Sequence, residues 1–161
     1  MNKEALMAFA TNYTSSPANR FQTDAHQDAF TKAKLWTVPV GRFFFSLIFI
    51  MAGFSHFSQS TIAYAQSQNV PMAAFLVPLS GVMSIIGGAS ILLGYKARFG
   101  ALLIILFLIP VTFSMHTFWN ETNAVQMQNQ MAHFMKNISM LGASLLIFFY
   151  GSGPKSIDRH R

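Results

Sequence analysis

Between Arg42 and Lys96 the chain contains no Asp, Glu, Lys or Arg, and after Arg98 there is none again until Glu121. A helix or strand of a soluble domain shows one face to water and carries charges there. Gaps this long leave no such face. Four apolar segments account for them, at about 38–57, 71–93, 99–118 and 131–150, each near the roughly 20 residues a helix needs to cross a bilayer. The fold expected is all-α: a polytopic membrane protein built as a four-helix transmembrane bundle.

Composition agrees. Of 161 residues 52% are hydrophobic and only 10% are charged, with 17 Phe and 10 Met, where a soluble domain has roughly 25% charged residues. A small soluble fold leaves too much surface in water to hide so many large apolar groups. Cysteine is absent, which excludes disulfides, thiol redox chemistry and cysteine-ligated metal in this chain. The net charge of +6 does not signal nucleic acid. Lys32, Lys34, Arg42, Lys96, Arg98, Lys155, Arg159 and Arg161 sit beside the ends of apolar segments rather than in one run, which is a topology pattern.

The charges alternate between connections. The stretch before the first span, the "GYKARFG" turn and the C-terminal tail are basic, whereas 58–70 and 119–130 carry no Lys or Arg. The positive-inside rule then places both termini in the cytoplasm and the two Gln/Asn-rich connections outside. Residues 1–37 read as a polar, partly helical cytoplasmic lead-in, with a short helix opening at Thr23 or Asp24, an Asp28–Lys32 pair and Trp36 at the interface. No cleaved-signal pattern appears at this end. Residues 38–151 form the four-span domain and 152–161 a short basic tail. Ser80, Ser84 and Gly88 recur at steps of four, as do Ser139 and Ala143, and in lipid such small faces let helix backbones approach closely. Pro110 lies inside the third span, where it removes a backbone donor.

Polar groups gather at one level. The stretch "TFSMHTFWNE" ends the third span with His116 and is followed by Glu121; the first span ends near His56, and the fourth begins with His133 in its first turn. His133, Lys136 and Asn137 are spaced i, i+3, i+4 and share a helix face. Each also fits a plain boundary role, with histidine and Trp119 as interfacial anchors and Lys136 snorkelling. Their common level favours a pocket of His56, His116, His133, Lys136 and Asn137, with Glu121 the acidic residue beside it. His56, His116 and His133 leave a metal site or a bis-histidine haem open, but their spacing contains no HxxxH or HExxH pair, so no metal is assigned, and no nucleophile triad, phosphate loop or dinucleotide fingerprint is present.

Three stretches together resemble the DoxX family. "VGRFFFSLIFIMAGFSHF" is similar to its opening helix, in which an arginine precedes an apolar run ending in glycine and a polar residue. "GGASILLGYKARFGALLI" resembles its glycine pair, Leu-Leu-Gly turn and basic residue. "FMKNISMLGASLLIFFYGSGPKSID" resembles its last helix and Tyr-Gly-x-Gly ending. The resemblance covers about residues 38–158 and implies a four-span bacterial inner-membrane protein associated with quinone-linked oxidoreductases and membrane redox complexes. The chain departs from the family in Ser84, where a glutamate is frequent, and in His56, where lysine is frequent. The resulting expectation is a membrane subunit of a redox system, whose outer pocket binds a quinone headgroup with His and Lys as donors. It has no intrinsic cofactor, a redox protein as partner, and self-association left open. The rival expectation is a non-enzymatic scaffold, assembly factor or lipid/small-solute binder. No catalytic residue is assigned.

Overall fold

The structure, a computed structural model, describes residues 2–4, 6–7 and 17–158, without the side chains of 17–30. The expected Asp28–Lys32 pair and the basic residues Arg159 and Arg161 lie outside the described residues. By contacts the chain divides into two units, Met1–Thr37 and Val38–Arg161; every contact below is within the second.

The elements run α1 (Pro17–Ser55), α2 (Gln59–Ser67), α3 (Ala73–Leu93), α4 (Ala97–Met115), a 3₁₀ turn (Phe118–Asn120) and α5 (Ala124–Tyr150), with no strand among the described residues. Among the described residues four stretches are long and apolar enough to span a membrane: Thr31–Ser55, Ala73–Leu93, Ala97–Asn120 and Ala124–Tyr150. The outside of the bundle is apolar, as lipid requires: Phe44, Met51 and Phe149 are all well exposed.

Three boundaries differ from the sequence expectation. The first helix begins at Pro17 rather than Thr23 or Asp24, since proline's fixed φ suits the first turn of a helix. The connection 58–70 holds a short helix, α2, whose cap Ser58 accepts from the Thr61 amide. The last helix begins at Ala124, seven residues ahead of the apolar run at 131, because the Asn123 side chain accepts from the Val125 and Gln126 amides. Two orphan donors of a helix start are satisfied this way. At 27 residues this helix is about 40 Å long, longer than the roughly 30 Å hydrocarbon core, so its polar first turns extend past the apolar span.

Glycines set the helix crossings. A Cβ on Gly53 would meet Ile85 Cγ1 at 2.6 Å, and one on Gly81 would meet Gly53 O and His56 Cβ at 2.8 Å. A Cβ on Gly88 would meet Ile50 Cγ1 at 2.9 Å, and buried Ser84 donates its hydroxyl to Phe49 O at 2.7 Å. The small face expected on α3 therefore packs on α1. Gly87 and Gly100 bring α3 against α4 in the same way. Phe49, Ile91, Ala101, Ile104, Phe107 and Leu108 fill the centre.

The end of the bundle bearing the basic residues is closed by its own tail. Arg42 is 5% exposed, and its Nη1 and Nη2 donate to the carbonyls of Ser152 (2.6 Å) and Lys155 (2.7 Å). Ile157 N and Asp158 N donate to Leu93 O and Gly94 O. Gly94 adopts φ +63°, and a Cβ there would run into Arg42 Nη1, so this position needs glycine on both counts. Arg98 Nη2 donates to Phe149 O in the last turn of α5, where unsatisfied carbonyls and the helix dipole favour a cation.

Candidate functional site

At the opposite end lies a cavity of about 420 Å³, bounded by α2, α3, α4 and the residues just past α1 and α4. Its size falls in the range of small-molecule sites. Most of its wall is apolar, from Ala65, Leu76, Val77, Met83, Leu106, Phe107 and Val111, and the polar members are His56, Thr61, Tyr64, Ser80, Ser114 and His116. Pro110 also faces it, and Pro78 lies inside α3 beside the lining residue Val77; each removes one backbone donor from its helix.

Each histidine of the wall is held through Nδ1. His56 Nδ1 lies 2.8 Å from Ser80 Oγ, while the Ser80 hydroxyl itself donates to Val77 O at 2.7 Å. The Phe107 ring flanks His56 at 5.6 Å between centroids. His116 follows the last turn of α4, and its Nδ1 lies 2.8 Å from Gln130 Oε1 on α5. Gln130 Nε2 donates in turn to the Tyr64 hydroxyl on α2 at 3.0 Å. One amide thus ties α2, α4 and α5 together beside the cavity.

The remaining candidates form a second cluster next to it. The His133 ring stacks on His116 at 5.3 Å and 20°, and Lys136 Nζ lies 3.3 Å from His133 Nδ1. His116 is therefore shared: it belongs to the cavity wall and to this stack. His133 and Lys136 are exposed and are not part of the wall. Asn137 is 5% exposed and is likewise not part of the wall. Glu121 is half-buried, donating its backbone amide to Phe118 O at the end of the 3₁₀ turn. Among the described residues no group of three or more His, Cys, Asp or Glu is arranged to hold a metal.

Three of the residues around the cavity escape a reading by histidines and charges. Tyr64 and Thr61 sit on α2, in a connection that is polar in sequence. Gln130 lies in the extra turns of α5. The capping residues Ser58 and Asn123 are the signal that would have found both helices, since Ser and Asn before a helical run satisfy its first amides.

The DoxX family model matches residues 37–117. Inner membrane protein YphA of Escherichia coli strain K12 is 32% identical over 132 residues, covering 81% of this chain and 94% of that protein. Inner membrane protein YqjF of the same strain is 32% identical over 125 residues, covering 76% and 89%. No solved structure matches the chain.

Proposed function

The chain belongs to the DoxX family, and from that premise we propose that it is an inner-membrane subunit of a quinone-linked redox system, with the cavity between α3 and α4 as the quinone site. One observation carries the reading: an apolar cavity of about 420 Å³ with an imidazole from each of two spans in its wall. Such a cavity suits a ring with polar substituents attached to an apolar tail, because apolar walls provide affinity and a few placed polar groups fix orientation. Phe107, already against His56, offers an aromatic surface to a planar ring. Electron transfer in this reading belongs to a partner protein docked on the membrane subunit. The names of both relatives place them in the inner membrane, and the bias of Arg42, Lys96, Arg98 and Lys155 to one end supports an orientation with that end in the cytoplasm and the histidine end outside.

The test is what the protein holds when purified in mild detergent from a quinone-containing membrane. Solvent extraction and chromatography should recover isoprenoid quinone in near-equal amount to wild-type protein, and far less from His56→Ala and His116→Ala. Wild-type protein free of quinone contradicts the proposal. The mostly apolar wall favours one second reading, a lipid or small-solute binder, and recovery of a single phospholipid or fatty acid in place of quinone would establish it.

A further inference from the structure

The partners of the two cavity histidines determine which way their hydrogen bonds run. Gln130 Oε1 is a carbonyl oxygen and only accepts, so His116 Nδ1, 2.8 Å away, carries the proton. The same amide uses its NH₂ group on the Tyr64 hydroxyl. At His56 the Ser80 hydroxyl spends its proton on Val77 O, so the Ser80 oxygen accepts from His56 Nδ1–H. These partners favour the Nδ1–H form of both neutral imidazoles, and in that form Nε2 holds a lone pair and no proton.

The side-chain hydrogen bonds that His56 and His116 make among the described residues both use Nδ1. The buried side-chain nitrogen and oxygen atoms without a partner there are Arg42 Nε and Ser46 Oγ alone, so neither Nε2 is sealed in apolar packing. Both rings belong to the cavity wall, and their Nε2 atoms are open to a ligand. The sequence leads one to expect histidine donors facing carbonyl oxygens; the hydrogen bonds around the rings supply acceptors instead.

We infer that the two imidazoles form an acceptor pair that makes the cavity selective for a hydroxyl-bearing ring of the hydroquinone class over its carbonyl-bearing oxidised form. The inference rests on the quinone reading and deepens it by assigning the redox state bound. A hydroxyl on the ring donates to Nε2, whereas a carbonyl oxygen set against the same lone pair leaves both acceptors unsatisfied, an arrangement that desolvated sites penalise strongly. Gln130 and Ser80 act as positioning residues, since they hold the tautomer.

Three probes of similar size separate the contributions: durohydroquinone, duroquinone and the dimethyl ether of durohydroquinone, which keeps the oxygens but has no donor. Each is titrated anaerobically into wild-type protein in phospholipid nanodiscs. Durohydroquinone should bind at least about tenfold more tightly than duroquinone or the ether, a ratio corresponding to about 1.4 kcal/mol. Gln130→Leu leaves the His116 ring in place but frees its tautomer, and should bring that ratio down with little change in affinity for the ether. Nitrogen NMR of labelled histidines in the wild-type protein reads the tautomer independently of any variant, and should show Nδ1–H at His56 and His116. Equal or tighter binding of duroquinone, or an Nε2–H tautomer at both rings, overturns the inference and leaves the quinone site standing. Binding of none of the three overturns both.

Discussion

At the scale of single residues, His116 and Lys136 are close in space but unequal in role. His116 is in the cavity wall, hydrogen-bonded to Gln130, with His133 stacked on it; Lys136 is exposed and places its ammonium on His133. His116→Ala is therefore expected to abolish hydroquinone binding, while Lys136→Met changes affinity less than about threefold, as befits an exposed polar contact. Titration of both variants with one hydroquinone checks this, and equal losses would place the lysine in the site. Arg42 is the residue on which the opposite end depends. Its two bonds to tail carbonyls are of the charged kind, worth roughly 1.5–3 kcal/mol each when made in a buried setting. Arg42→Met should lower the thermal unfolding midpoint in detergent. Arg42→Lys should recover little of it, because an ammonium lacks the planar fork that reaches two carbonyls at once. Full stability of Arg42→Met would show that the tail is held by other means.

At the scale of elements, close approach rather than apolar content decides how the helices fit, as expected where lipid removes the hydrophobic drive between them. Gly88→Leu and Gly81→Ala each force a side chain into atoms of α1 and should cost about 1–3 kcal/mol, the usual scale of overpacking. Gly142, with nothing within 4 Å of an added Cβ, is the matched control, and Gly142→Ala should be tolerated. Unfolding curves of the three variants decide it, and an unchanged Gly88→Leu would mean that face meets lipid. The spans were legible in the sequence because their signal is summed over some twenty residues, and the small face of α3 because its spacing of four repeats. The start of α5 and the whole of α2 were not, since polar helices give no apolar period and announce themselves through one capping residue each. The site was legible in part for the same reason. His56, His116 and His133 stand out as polar groups in apolar surroundings, but Tyr64 and Gln130 come from polar segments, and only the fold brings them to His116. Ser84, in the place of the family's frequent glutamate, is buried in a helix contact and offers the cavity no charge.

At the scale of the whole molecule, the two ends of the bundle differ in chemistry. One is closed by Arg42, Arg98 and the tail; the other holds a cavity, two histidines in its wall and a third stacked on one of them, His116. The charge bias supports the proposed orientation of this polarity across the membrane. A reporter enzyme active only in the periplasm, fused after Arg161, should stay silent, and one fused within 119–123 should be active; the reverse pattern would put the cavity on the cytoplasmic side. The central claim is that the cavity, and not the lipid-facing surface, receives a quinone. Photolabelling with an azidoquinone in nanodiscs, followed by mass spectrometric mapping of the modified residues, tests it most directly. Adducts should concentrate on Met83, Leu106, Phe107, Met115 and His116, and be suppressed by excess unlabelled quinone. Adducts spread over the exposed residues Leu145, Leu146, Phe148 and Phe149, insensitive to that competitor, would contradict it.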